Sequence, residues 1–147
     1  MVKYTSPNPL LSLSNNLFSV TINSICVCGA GTMGSGIAQT AAQAGFYTLL
    51  YELNDDVLAK ARISIEKNLA LLVEKGKMSM VDKEKTIQRI QFINDIQTCL
   101  ADVFIEAIIE KPEAKVALFN QLAELNHSEC VFASNTSSLH YCYCQKN

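Results

Sequence analysis

The stretch Gly29-Ala30-Gly31-Thr32-Met33-Gly34 constrains this chain more than any other, because three glycines at that spacing ask for a backbone that side chains would obstruct. The residues before it, Ile25-Cys26-Val27-Cys28, are a short apolar run suited to a buried strand. Those after it, small residues running to Gly45, read as a helix. In a strand-turn-helix unit of this kind the first glycine permits the tight turn. The second leaves room for a diphosphate to reach the backbone, and the third lets the helix lie close to the sheet. Free N–H groups and the positive end of the helix dipole then favour an anion. A second run, Tyr47 to Tyr51, ends on Glu52, whose carboxylate suits adenosine ribose hydroxyls and repels a 2′-phosphate. Arg62 stands too far along the next helix to rescue a phosphate, so the pattern favours NAD over NADP. Two plainer readings compete: a glycine-rich turn with no ligand, and a solvated carboxylate at a strand end.

Beyond Glu52 the chain alternates helix and strand. Asn54-Asp55-Asp56 supplies an acidic helix start, and Val57, Leu58, Ala61, Ile65, Leu69, Leu72 and Val73 recur at helical spacing until Gly76. Ser79 with Asp82 reads as a capping box for another helix to about Arg89, so a helical hairpin is inserted between the second and third strands. Ile90 to Ile93 is a weak strand. Val103 to Ile109 is a nearly continuous apolar one, expected to be buried on both faces. Pro112 marks a helix start with Val116, Phe119, Leu122 and Leu125 as its buried stripe, and Cys130 to Ala133 forms a fifth strand. The fold class this implies is α/β, a Rossmann-type doubly wound parallel sheet with strand order 3-2-1-4-5.

Composition narrows the function classes. A chain of 147 residues with 49% hydrophobic content can bury one core, and a formal charge of -2 offers no basic footprint for nucleic acid or a membrane surface. Neither partner is expected. No apolar run is long enough to span a bilayer, and the polar residues between Leu10 and Asn16 break up any signal-peptide core, so a cytoplasmic protein is expected. Among the six cysteines, Cys26 and Cys28 read as strand core, and Cys99 and Cys130 stand alone. A four-thiolate site joining them with Cys142 and Cys144 lacks the usual ligand spacing. No metal is expected.

Three motifs together, Gly29 to Gln39, Ile105-Glu106-Ala107-Ile108-Ile109-Glu110 and Phe132-Ala133-Ser134-Asn135-Thr136-Ser137-Ser138-Leu139, resemble the N-terminal domain of the short-chain 3-hydroxyacyl-CoA dehydrogenases, bacterial 3-hydroxybutyryl-CoA dehydrogenases included. The helical hairpin fits the same family. The resemblance implies cofactor contacts from Gly29, Ala30, Gly31, Thr32, Met33, Gly34, Glu52 and Ala107. It also implies Glu110 and Lys115 near the nicotinamide-side ribose, Asn135 near the nicotinamide end and Ser137 as the catalytic-site hydroxyl beside the substrate's 3-oxygen. Asn68 and Lys75 fall where the family contacts coenzyme A. Taken without the family, Glu110 and Lys115 would read as an exposed pair in a first helical turn, and Asn68 and Lys75 as a solvated face.

The activity so implied is NAD-dependent oxidation of L-3-hydroxyacyl-CoA to 3-oxoacyl-CoA, in fatty-acid or butanoate metabolism, by an enzyme that is a homo-oligomer at full length. The family's base is a His oriented by a Glu in a segment like His-Phe-Phe-Asn-Pro, followed by a helical C-terminal domain. Neither is in this sequence, and His127 and His140 lack the right surroundings. The chain divides accordingly into a loose extension (1–23), an NAD-binding domain (24–139) and a tail (140–147). That tail, His140-Tyr141-Cys142-Tyr143-Cys144-Gln145-Lys146, is unlike the family's continuation. Its codons read one base later allow Ile-Thr-Ala-Ile-Ala-Lys, so a lost base near codon 140 and a premature stop are expected. The expectation is thus an inactive NAD-binding fragment prone to self-association; the competing one is a stand-alone NAD-sensing module.

Overall fold

The first strand pairs on both sides, and that places it at the centre of everything else. In the computed structural model of the chain, which describes residues 21–127 and 129–136, β1 (Ser24–Cys28) lies between β2 (Tyr47–Tyr51) and β4 (Val103–Glu106). Outside these are β3 (Ile90–Ile93) and β5 (Val131–Ser134), giving a fully parallel sheet in the order β3-β2-β1-β4-β5. The expected order and fold class stand. The 1–20 part of the expected extension, Ser137 and the 140–147 tail lie outside the described residues.

The helices are α1 (Thr32–Gln43), α2 (Asp55–Glu74), α3 (Met80–Gln88) and α4 (Pro112–Leu125), with a 3-10 turn at Ile96–Thr98. Asn54 caps α2 by accepting from the N–H groups of Asp56 and Val57, and Ser79 caps α3 through the N–H of Asp82. Both starts are written in the sequence, since Asn54 is a short polar side chain ahead of the apolar stripe of α2, and Ser79 stands three residues before Asp82.

Alternation along β1 splits the core in two. Cys26 and Cys28 face Leu49, Tyr51, Cys99, Phe104, Leu118 and Leu122 under α4, while Val27 faces Ala38, Ala42, Leu50, Ile65 and Leu69 under α1 and α2. Each fully buried Leu, Ile or Phe side chain here contributes about 1.5–3 kcal/mol. The cysteines are core residues: Cys26, Cys28 and Cys99 are completely buried, and hydrogen bonding to Cys28 and then Cys99, together with burial, pushes the Cys26 thiol far up. A thiol held protonated is neither nucleophile nor metal ligand.

Three expectations need correction. β4 ends at Glu106 instead of Ile109: the Ala107 N–H makes the last bond to β1, at the Cys28 carbonyl (2.8 Å), and the Ile108 N–H is taken by the Glu106 side chain (2.8 Å). Nor is that strand buried on both faces, since Val103 and Ile105 are only partly covered. The buried stripe of α4 is Lys115, Leu118 and Leu122, with Val116 turned to solvent.

One staple closes the lower edge of the sheet. Asp102 Oδ2 accepts from the N–H groups of Asn23 (2.8 Å) and Ser24 (2.9 Å) and from the Ser24 hydroxyl, while the Ser24 hydroxyl accepts from the Asp102 N–H. Those donors, the Asn23 and Ser24 N–H groups foremost, hold the Asp102 carboxyl below the usual carboxylate range.

Candidate functional site

Among the described residues, the chemistry-bearing ones of the sequence motifs except Asn68 and Lys75 gather at the carboxyl ends of β1, β2, β4 and β5, where ligands bind in an open parallel sheet. The glycine turn follows β1. Gly29 has φ +104°, and a Cβ on it would lie 2.6 Å from the carbonyl oxygen of Ala107, so Ala107 bears directly on the turn. A Cβ on Gly34 would lie 1.7 Å from the carbonyl oxygen of Gly29, which lets α1 start against the turn only if that residue is glycine.

Gly31 is different. Its φ of -66° suits any residue, and among the described residues nothing beyond its own chain neighbours lies within 4 Å of where its Cβ would be. The fold makes no demand for glycine there; a ligand resting on the backbone does. This bare position, at the N-cap of α1 with the helix's unsatisfied N–H groups beyond it, fits a pyrophosphate. Thr32 and Met33 open the helix, and both are exposed.

Glu52, half-buried just past β2, accepts from the Ala30 N–H through Oε2 (3.1 Å) and from the Asn54 N–H through Oε1 (3.1 Å). Its carboxylate therefore fastens the glycine turn to the start of α2, and each oxygen keeps a further lone pair with which to accept from a sugar diol.

A second cluster lies beyond β4 and β5. Lys115, only 5% exposed, places Nζ 3.0 Å from Glu106 Oε2 and 3.1 Å from Glu110 Oε1. Burial by itself pushes that ammonium down; the Glu106 and Glu110 carboxylates more than reverse this and hold it above the ordinary lysine range. Thr136 donates to Glu110 Oε2 (2.8 Å), and the Asn135 N–H donates to the Glu106 carbonyl (2.7 Å). Lys115 is thus no exposed partner of Glu110 but a buried charge with two anions.

Glu106 carries no expected role, although its carboxylate is fully buried and also accepts from the Ser134 hydroxyl. The signal for it was a single acid inside an apolar run. Asn68 and Lys75 stand exposed on α2 and its C-cap, away from both clusters. Ser137 lies outside the described residues. His127 sits 4.0 Å from Asp102, at the opposite end of β4 from the glycine turn. Among the described residues no group of His, Cys, Asp or Glu is arranged to hold a metal ion, and no helix is long and apolar enough to cross a membrane.

Residues 24–145 match the sequence model of a family described as 3-hydroxyacyl-CoA dehydrogenase, NAD binding domain. A probable 3-hydroxybutyryl-CoA dehydrogenase of Bacillus subtilis is 42% identical over 119 residues, which are 80% of this chain and 42% of that protein. The mitochondrial hydroxyacyl-coenzyme A dehydrogenase of Sus scrofa is 35% identical over 127 residues, 82% of this chain and 40% of that one. Among solved structures, the 3-hydroxybutyryl-CoA dehydrogenase of Escherichia coli K12 superposes with a TM-score of 0.82 at 37% identity, covering 84% of this chain and 26% of that one. The chain thus spans less than half the length of these relatives.

Proposed function

The chain belongs to the 3-hydroxyacyl-CoA dehydrogenase NAD-binding family, and from that premise we propose that it supplies the cofactor-binding part of an enzyme oxidising L-3-hydroxyacyl-CoA to 3-oxoacyl-CoA. The observation that carries the cofactor reading is Gly31, a glycine that the fold does not need and a diphosphate does. The turn of Gly29 to Gly34 would hold the pyrophosphate, with Ala107 supporting it from just past β4. Glu52 would accept from the adenosine ribose and exclude a 2′-phosphate; Glu110, steadied by Lys115 and Thr136, would accept from the second ribose. Asn135 and Ser137 would stand at the nicotinamide end, with Ser137 toward the substrate's 3-oxygen. Asn68 and Lys75, exposed on the hairpin, would meet coenzyme A.

When bound, NAD supplies the hydride acceptor for C3 of the substrate. Release of the hydroxyl proton needs a base within hydrogen-bond reach. His127 is excluded by its place at the far end of β4. Residues 21–136 alone therefore bind and orient without turning over. The free thiols Cys26, Cys28, Cys99 and Cys130 fit a reducing compartment, which supports a cytoplasmic setting. A homo-oligomeric whole enzyme is part of the same proposal.

Titration calorimetry of the chain with NADH and NADPH tests the reading. NADH is expected to bind and NADPH to bind at least about tenfold more weakly, an energy difference of about 1.4 kcal/mol. Equal affinity for the two would remove Glu52 from its assigned role, and no heat with either would end the cofactor assignment.

A further inference from the structure

A fully buried carboxylate that bonds to three separate elements does more than fill space. Glu106 ends β4. Its Oε2 meets Lys115 Nζ at 3.0 Å and accepts from the Ser134 hydroxyl at the end of β5, while its Oε1 accepts from the Ile108 N–H at 2.8 Å. No buried side-chain polar atom is left without a partner among the described residues, so the charge is compensated where it lies. Lys115, the residue it holds, is in turn what grips Glu110, and the main-chain carbonyl of Glu106 takes the Asn135 N–H. Every residue assigned above to the nicotinamide half and described in the structure is therefore one bond or two from Glu106.

We propose, resting on the cofactor reading above, that Glu106 is a positioning residue for the nicotinamide half of the dinucleotide: it touches no ligand itself, and through Lys115 and Ser134 it fixes where Glu110 and the Asn135 loop stand. The geometry gives Lys115 the same character. Its ammonium is shared between two carboxylates and is spent orienting Glu110, which leaves Glu110 as the group that meets the ribose. In Glu106→Gln the amide keeps an acceptor for the Ile108 N–H but offers no charge to Lys115, so the lysine swings wholly to Glu110 and competes with the sugar for its oxygens.

The test separates the two halves of the ligand. AMP reports the glycine turn and Glu52; NADH reports these and the nicotinamide half. Using the full chain, Glu106→Gln is expected to weaken NADH about tenfold with AMP unchanged. In a Lys115→Met background the same substitution is expected to weaken NADH only a few-fold, the part exerted through Ser134, because the rest of the effect runs through Lys115. NADH and AMP weakening together, or NADH unchanged, overturns the proposal, as does an undiminished effect in the Lys115→Met background. Should Glu106→Gln not fold, Ser134→Ala decides: a few-fold loss of NADH with AMP retained supports the role, and no split between them refutes it. A wild-type chain that binds neither ligand sinks the cofactor reading itself, whereas one that binds both and ignores these substitutions sinks only this inference.

Discussion

Gly31 and Gly34 belong to one motif, yet a methyl group on each fails for a different reason. On Gly34 it would lie 1.7 Å from a backbone oxygen, so Gly34→Ala is expected to cost more than the about 1–3 kcal/mol of ordinary overpacking and to lower the thermal unfolding midpoint steeply. On Gly31 it meets nothing, so Gly31→Ala is expected to cost about 1 kcal/mol or less, as an N-cap change, while abolishing NADH binding. Melting curves and NADH titrations on both variants check this, and a Gly31→Ala chain that binds NADH normally refutes the bare-backbone argument. The motif's spacing made all three glycines legible, and Glu52 was legible as the charge that ends an apolar run. Its grip on the Ala30 N–H was not, because the direction of a backbone N–H appears only once the turn is built. Glu106 escaped for a related reason: the family resemblance set Lys115 with Glu110 near the ribose, but nothing in the spacing showed that a strand-end acid would lie buried against that lysine.

Elements were legible where caps and periods agreed, as for α2 and α3, and misjudged where two readings fitted one run. Apolar character continues past Glu106, but the ladder stops after the Ala107 N–H bond to the Cys28 carbonyl, since the Ile108 N–H is taken by the Glu106 side chain. On α4 Leu122 is buried as expected, but Lys115 and Leu118 stand where Val116 and Phe119 were expected, because a buried lysine, paired with two acids, occupies a position that periodicity reserves for an apolar side chain. The joint between elements most exposed to chemistry is Asp102, which ties the start of β1 to β4 across 78 residues. Its folded pKa is depressed, so the stability it contributes is present above the ordinary aspartate range, near 3.9, and is lost as pH falls through the lower folded value. Asp102→Asn is expected to cost about 1.5–3 kcal/mol at neutral pH by urea unfolding. The gap between wild type and variant should close on acidification; a gap that holds constant down to about pH 2, well below the ordinary value, would show that the charge is not what the staple uses.

At the scale of the molecule the sheet is clothed unevenly. One face is covered by α1, α2 and α3 over β1, β2 and β3, and the other by α4, but Ile105 opens onto a groove of about 560 Å³ beside α1, and Val131 is 49% exposed. β5 pairs with β4 and with no other strand among the described residues. An apolar strand edge with a bare face next to it is a template for another chain. The sequence carried this only indirectly: the Val-Phe-Ala-Ser run has strand character, but whether its flank is covered depends on what the rest of the fold lays over it. The described residues are therefore expected to associate with themselves through β5 in a concentration-dependent way. Val131→Lys puts a charge on that edge without touching the Phe104–Phe132–Phe119 packing on the opposite side of the strand, so it should spare the fold. In sedimentation velocity the wild-type chain should gain faster species as concentration rises and the variant should remain monomeric, both binding NADH alike. Equal self-association in the two would move the contact away from β5.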